Sequence, residues 1–246
     1  MIFLNFKCSA IYRKERALIN KNIAAVIPAA GLGTRMGGLK QIMLLKGKPV
    51  LARTIAAFEL HPGIKEIIIV APGGAPADEI KSKMKGFNKL KSIVEGGDNR
   101  QASVFNGLQA VSKDIDGVLI HDGARPLVSE KVISDIISYV REGKSAISGV
   151  KTKDTIKIAD SKNIISDTPD RDYVWLVQTP QGFPPEIIKK AHERAALDNF
   201  LGTDDSILLE RLGEKVYMVE GDYKNIKLTT KEDFIMAEML MDLREQ

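Results

Sequence analysis

From Ile23 onward the chain alternates short apolar runs with amphipathic stretches, and this rhythm constrains the fold more than any other feature. Residues 51, 55 and 58, like residues 104, 108 and 111, have the spacing of one helix face. Apolar strands without polar alternation belong to parallel sheets covered on both faces. We therefore predict an α/β fold with a doubly wound, mostly parallel, Rossmann-like sheet. Its predicted buried strands are residues 23–27, 66–70, 92–94, 117–120 and 145–148.

The rhythm breaks between residues 150 and 175. Residues 155–158 and 164–166 flank a turn-forming stretch, which predicts a β-hairpin. Because a hairpin alone is only marginally stable, we expect residues 151–175 to form an arm that joins a second subunit in a homodimer. The alternative is a hairpin folded back on its own domain. Farther on, Thr230 and Asp233 match a capping box before an apolar helix.

Length and composition limit the domain organisation, the cellular compartment and the class of substrate. The 246 residues suit one domain, 22–246, preceded by an extension over residues 1–21 that we expect to be dispensable. A single cysteine, Cys8, excludes an intrachain disulfide, and no run approaches the ~18 apolar residues of a membrane span, so we expect a cytoplasmic protein. A net charge of +4 without a basic block favours a small phosphorylated substrate over nucleic acid.

A glycine-rich loop follows the first predicted strand. Gly31 and Gly33 let the backbone approach an anion closely, and Arg35 and Lys40 add positive charge. The loop lacks a Walker A pattern, and Met36 stands where the dinucleotide fingerprint needs its third glycine. We predict a polyphosphate site, with an ordinary turn between strand and helix as the alternative.

Polar residues also follow two later strands. The backbone amide of Gly97, together with Asp98 and Ser103, offers donors and acceptors for the edge of a base. Asp122 suits a divalent cation or a ribose hydroxyl, and Arg125 suits a phosphate. The alternative for this last pair is a buried ion pair that only shapes its loop. His121 reads as a satisfied residue at a strand end and is given no role.

The candidate cations are Arg35, Lys40, Arg125, Arg171 and Lys227. No plausible Ser-His-Asp triad and no cysteine nucleophile accompanies them. The set is therefore suited to stabilising negative charge.

The ordered motifs of the chain resemble those of the 2-C-methyl-D-erythritol 4-phosphate cytidylyltransferase family, and also those of its relatives, the ribitol-5-phosphate cytidylyltransferases. The motifs are Ala29-Ala30-Gly31-x-Gly33-x-Arg35-Met36, Lys40-Gln41, Gly96-Gly97-Asp98-x-Arg100-x-x-Ser103-Val104, His121-Asp122-x-Ala124-Arg125-Pro126, Lys153-Asp154-Thr155, Thr179-Pro180-Gln181, Thr203-Asp204-Asp205 and Asn225-Ile226-Lys227.

The resemblance implies an enzyme of isoprenoid precursor synthesis that uses CTP and Mg²⁺ or another divalent cation. It joins CMP to 2-C-methyl-D-erythritol 4-phosphate and releases pyrophosphate. In this family pattern, Arg35 and Lys40 stabilise charge on the α-phosphate. The attacking phosphate is positioned by Lys227 and by Arg171, the latter supplied by the arm of the partner. The alternatives are the same chemistry on ribitol 5-phosphate, a non-catalytic nucleotide-sensing module and a dinucleotide-dependent oxidoreductase.

The resemblance also assigns binding positions. The implied nucleotide-binding residues are Ala29, Ala30, Gly31, Gly33, Gly97, Asp98, Ser103, Asp122 and Gly123. The implied acceptor-binding residues are Asp122, Arg125, Thr155, Arg171, Thr179, Thr203 and Lys227. Asp122 is also the implied metal ligand, with the metal held mainly by the triphosphate.

Overall fold

The computed structural model describes residues 21–31, 39 and 41–245. The predicted site residues Gly33, Arg35 and Lys40 lie outside these residues, as do residues 1–20 of the predicted extension.

The secondary structure of the described residues follows the predicted rhythm. The helices are α1 (Val50–Leu60), α2 (Ala75–Lys83), α3 (Arg100–Gln109), α4 (Glu130–Arg141), α5 (Pro185–Leu197), α6 (Ser206–Glu210) and α7 (Lys231–Glu245). The strands are β1 (Ile23–Pro28), β2 (Leu44–Leu45), β3 (Lys48–Pro49), β4 (Ile64–Ala71), β5 (Leu90–Glu95), β6 (Gly117–Ile120), β7 (Ser145–Lys151), β8 (Ile158–Ala159), β9 (Ile165–Asp167), β10 (Trp175–Phe183) and β11 (Val216–Glu220). None of these helices has both the length and the apolar content needed to cross a bilayer.

Seven of the described strands form one sheet in the order β11-β7-β10-β6-β1-β4-β5. Strand β1 lies inside the sheet and pairs in parallel with β4 and β6. Strand β10 is antiparallel to both of its neighbours, β6 and β7. The mostly parallel α/β sheet predicted from the sequence is confirmed.

Helices cover both faces of this sheet. Ile27 of β1 belongs to a buried cluster with Phe58 of α1 and Ile133 of α4. The adjacent Val26 belongs to a second cluster with Val104 of α3. Because successive strand residues point to opposite faces, a strand buried on both sides must be apolar at every position. The doubly wound arrangement is therefore confirmed.

The predicted hairpin is present as β8 and β9, which pair Ala159 with Ile165. Its turn is held by Asp160, whose Oδ1 accepts hydrogen bonds from the backbone N–H groups of Lys162 and Ile164, both at 2.9 Å. Asn163 has a φ of 63°, a left-handed conformation that asparagine tolerates better than most residues. The role of this arm in a dimer stays a prediction.

The start of α7 fixes the segment that carries Lys227. Asp233 Oδ2 accepts hydrogen bonds from the backbone N–H groups of Thr229 and Thr230 at 2.7 and 2.8 Å, as the capping-box pattern predicts. Beneath the helix, Leu228 packs with Leu45, Val50 and Leu127. Its backbone N–H also donates to Ala124 O at 2.9 Å, which joins this segment to the loop after β6.

Candidate active site

A cavity of about 470 Å³ lies where the loops after β1, β5 and β6 meet. These are carboxyl ends of parallel strands, where open α/β sheets bind their ligands. The predicted nucleotide-binding residues that the structure describes all line it: Ala29, Ala30, Gly31, Gly97, Asp98, Ser103, Asp122 and Gly123. We call it the nucleotide cavity.

Close packing of two loops gives one wall of the nucleotide cavity its shape. A Cβ atom added at Gly96 would lie 2.5 Å from Ala30 Cβ, so only glycine lets the loops after β1 and β5 touch here. The Ser103 hydroxyl accepts from the Gly97 N–H at 3.1 Å and donates to Asn99 O at 2.8 Å. Ser103, predicted to bind the base, thus also closes the loop that precedes α3.

The start of the first glycine loop is held by Gln41, which belongs to a motif of the resemblance but was assigned no role. Gln41 is buried, and its Nε2 donates to Ala29 O at 2.7 Å and to Gly31 O at 2.6 Å. These two bonds fix the backbone at the cavity wall. The only signal in the sequence was the position of Gln41 directly after Lys40.

A second cavity, of about 530 Å³, adjoins the first. Its lining includes five predicted acceptor-binding residues, Asp122, Arg125, Thr179, Thr203 and Lys227, and we call it the acceptor cavity. Arg100, Asp122 and Lys227 line both cavities and form the wall between them.

Two predicted acceptor-binding residues lie elsewhere. Thr155 and Arg171 are exposed on the arm and line neither cavity of their own chain.

The shared wall is built around one buried carboxylate. Asp122 Oδ2 lies 2.8 Å from Lys227 Nζ and 3.6 Å from Arg125 Nε, and Oδ1 lies 3.4 Å from Arg100 Nε. Burial alone would raise the pKa of Asp122, but the charges of Arg100, Lys227 and Arg125 lower it well below its usual range. The carboxylate is therefore ionised at neutral pH.

Arg100 connects this wall to a second buried carboxylate. Its Nη2 atom lies 2.9 Å from Asp205 Oδ2, and the Asp205 side chain is almost fully buried. Burial by itself lowers the pKa of Arg100. The negative charges of Asp205 and Asp122 raise it by more, so the net shift of the pKa is upward. Arg100, Arg125 and Lys227 are thus held in place by Asp122 and Asp205, and all three cations line the acceptor cavity, where a phosphate can meet them.

Asn225 links the residues of the acceptor cavity to each other. It is fully buried, its side-chain Nδ2 donates to Thr179 O at 2.8 Å, and its backbone carbonyl oxygen accepts from Arg125 Nη1 at 2.7 Å. Arg100 and Asn225 were absent from the predicted site, although both belong to motifs that the sequence displays.

The donor set matches a metal that is held mainly by its substrate. Within the described ranges, no three His, Cys, Asp or Glu side chains come together as a metal site. Asp98 and the ionised Asp122 are carboxylates that line the nucleotide cavity. Mg²⁺ characteristically takes one or two protein carboxylates and completes its coordination with phosphates and water, so a triphosphate-bound Mg²⁺ fits these residues.

Residues 23–243 match the family model described as 2-C-methyl-D-erythritol 4-phosphate cytidylyltransferase. A protein of that name from Caldanaerobacter subterraneus subsp. tengcongensis is 50% identical over 224 residues, covering 89% of this chain and 99% of the relative. Another from Geobacter metallireducens is 46% identical over 227 residues, covering 88% and 96%. The crystal structure of a 4-diphosphocytidyl-2C-methyl-D-erythritol synthase from Anaerococcus prevotii aligns with a TM-score of 0.83 at 37% identity, covering 92% and 99%.

Proposed function

Because this chain belongs to the 2-C-methyl-D-erythritol 4-phosphate cytidylyltransferase family and is a nucleotidyltransferase, we propose that it transfers CMP from CTP to 2-C-methyl-D-erythritol 4-phosphate. The products are 4-diphosphocytidyl-2-C-methyl-D-erythritol and pyrophosphate, in isoprenoid biosynthesis. The observation that carries the proposal is the wall of Arg100, Asp122 and Lys227 shared by two adjoining cavities. A group-transfer enzyme needs two substrates that meet at one charged boundary.

In this proposal CTP occupies the nucleotide cavity. The loop of Gly97 and Asp98 contacts the cytosine edge, and Ser103 supports that loop through its bond to the Gly97 N–H. The triphosphate lies along the first glycine loop, where Arg35 and Lys40 stabilise the charge that develops on the α-phosphate.

The acceptor phosphate faces Lys227 and Arg125 from the other side of the wall. A phosphate monoester has a second pKa near ~6, so at neutral pH it is already a nucleophile and needs no general base. One of its oxygens attacks the α-phosphorus in line, and the bond from that phosphorus to the oxygen shared with the β-phosphate breaks, so this oxygen leaves with pyrophosphate. Asp122 keeps the cations oriented while the charge moves.

A divalent cation would complete the charge balance. Asp122 is the residue that we propose would hold it, with most of its ligands supplied by the triphosphate. The cation would neutralise negative charge on the phosphates.

The exposed arm supports a homodimer. Ile164 and Tyr173 are 61% and 82% exposed on it, and Ile158, Ile165 and Leu176 are exposed as well. Apolar side chains grouped on a protruding hairpin are typical of an interface. We propose that each arm packs on a second copy and brings Thr155 and Arg171 to the partner's acceptor cavity. The single cysteine and the modest net charge fit a cytoplasmic enzyme.

Pyrophosphate release tests the proposal. The purified chain is assayed with each of CTP, UTP, ATP and GTP, with Mg²⁺, and with either 2-C-methyl-D-erythritol 4-phosphate or ribitol 5-phosphate. We expect release with CTP and the methylerythritol acceptor. Faster pyrophosphate release with ribitol 5-phosphate would contradict the proposed acceptor. No release in any mixture would favour a nucleotide-sensing module.

A further inference from the structure

We propose that His121 is a positioning residue for the acceptor side of the site, an inference that rests on the proposed function. It follows β6 directly and precedes Asp122. The imidazole lines neither cavity, so any effect on the reaction must pass through the groups that it holds.

Hydrogen bonds on both ring nitrogens fix its tautomer. Nε2 lies 3.1 Å from Arg125 O, and a carbonyl oxygen only accepts, so Nε2 carries a proton. Nδ1 lies 3.1 Å from Thr179 Oγ1, which accepts from the Asp122 N–H at 3.0 Å. Because that amide only donates, the hydroxyl proton of Thr179 is free to point at Nδ1.

The surroundings of the ring hold it in this orientation. The ring is fully buried and packs against Phe58 of α1 with a centroid distance of 5.0 Å. A chain of bonds runs from Asp122 N–H through Thr179 to His121, and from His121 to Arg125.

This chain acts on one side of the wall. Thr179 and Arg125 line the acceptor cavity but not the nucleotide cavity. The nucleotide side of the same loop has its own supports, since Gly123 O accepts from Thr54 Oγ1 at 3.0 Å and Gly123 N–H donates to Pro28 O at 3.1 Å. Loss of His121 should therefore loosen the acceptor cavity more than the nucleotide cavity.

His121→Phe keeps a flat ring and removes both bonds. We expect the acceptor KM to rise at least about 10-fold and the CTP KM to change less than about threefold, the scale of one or two lost buried hydrogen bonds. His61→Phe is the matched control. His61 is also buried, bonds Ser134 Oγ at 2.9 Å and lies just after the end of α1, away from both cavities, so neither KM should move.

Two conservative variants separate the two bonds. His121→Asn places an amide oxygen near Nδ1 and retains the contact with Thr179, whereas the longer His121→Gln places a donor near Nε2 and retains the contact with Arg125. Both should lie between the wild type and His121→Phe in acceptor KM. A merely structural role predicts that stability changes in these variants while the ratio of the two KM values stays constant.

Nitrogen-15 NMR of the three histidine rings in the wild-type chain tests the tautomer without any substitution. We expect the His121 Nδ1 to be unprotonated at neutral pH. A protonated Nδ1, or a folded His121→Phe variant with an unchanged acceptor KM, would overturn the inference. Wild-type turnover is the separate check on the proposed function: if it is absent, that function fails, and if it is present without a KM shift, only the role of His121 fails.

Discussion

Asp122 holds three cations at the wall between the two cavities although its own side chain is only 11% exposed. A lone charge at this depth would be costly, and the surrounding cations make its ionised form the stable one. The same cations are the groups that meet the substrates. The residue that stabilises this part of the fold is therefore also the one that orients the site.

Asp122→Asn should reduce the free energy of unfolding by about 2 kcal/mol at neutral pH, because it removes the charged partner of Lys227, Arg100 and Arg125, which are themselves only partly buried. The folded-state pKa of Asp122 is depressed, so its contribution is present above the unfolded pKa of ~3.9 and is lost as the pH falls through the folded value. Urea denaturation of both proteins, followed downward from neutral pH, measures this. A difference that does not shrink below about pH 4 would contradict the linkage.

Arg35→Ala and Lys40→Ala should each lower kcat at least about 100-fold, because each removes a preorganised charge from the transition state. Steady-state pyrophosphate release measures the effect. Lys65→Ala is the control, since Lys65 is exposed, pairs with Asp114 and lines neither cavity. Full turnover in both site variants would rule out this assignment of the transition-state charges.

Single residues also mark the limit of prediction from the sequence. The lining of the nucleotide cavity was predictable because its residues follow strands whose carboxyl ends must meet. The roles of Gln41 and Asn225 were not predictable, because each side chain donates to backbone carbonyl groups in another segment of the chain. A glutamine or an asparagine gives no sign of such a partner in its local pattern.

At the scale of elements, apolar runs predicted β1, β4, β6 and β7, which are buried, and turn residues predicted the hairpin of β8 and β9. The run at residues 92–94 is a strand as predicted, but it belongs to the edge strand β5 and is only partly buried. Strand β10 was not predicted because polar residues interrupt its apolar pattern. Gln178, Thr179 and Gln181 face bonding partners in the site, and these contacts break the apolar pattern that a strand of nine residues would otherwise show. Its antiparallel place between β6 and β7 was likewise invisible in the sequence.

The arm has a direct test by mixing two variants. Arg171→Ala and Lys40→Ala homodimers should both be nearly inactive. A mixed dimer contains one complete site, formed by the chain that keeps Lys40 and the arm that keeps Arg171. Random exchange should therefore restore about a quarter of the sites.

Light scattering with pyrophosphate release on the mixture measures both association and activity. Arg194→Ala replaces Arg171→Ala in a parallel mixture as the control, because Arg194 lies on α5 and pairs with Asp198. A mixture of the two site variants that stays as inactive as its components, although the chains have exchanged, would place Arg171 outside the partner's site.

At the scale of the whole molecule, the described domain is closed at its N-terminal edge by Asn22. Its backbone N–H donates to Asp116 Oδ2 at 2.8 Å, and its Nδ2 donates to Asp114 O at 3.0 Å. Ile23 follows and is fully buried. The boundary at residue 22 stays a prediction, and the contacts of Asn22 show only that the folded domain includes this residue.

A chain that begins at Lys21 should keep kcat and both KM values within about twofold, since it retains these contacts. A chain that begins at Ala24 is the comparison, and it should lose stability because Asn22 and Ile23 are gone. Thermal unfolding and pyrophosphate release measure the pair. A folded but inactive chain from Lys21 would show that the extension takes part in the reaction.

In the proposed reaction the acceptor phosphate itself attacks the α-phosphorus of CTP across the shared wall. Phosphorus-31 NMR of the reaction with an acceptor whose phosphate carries oxygen-18 tests this most directly. We expect all of the label in the diphosphate product, including its bridging oxygen, and none in pyrophosphate. Label in pyrophosphate, or free CMP beside an unchanged acceptor, would contradict the central claim.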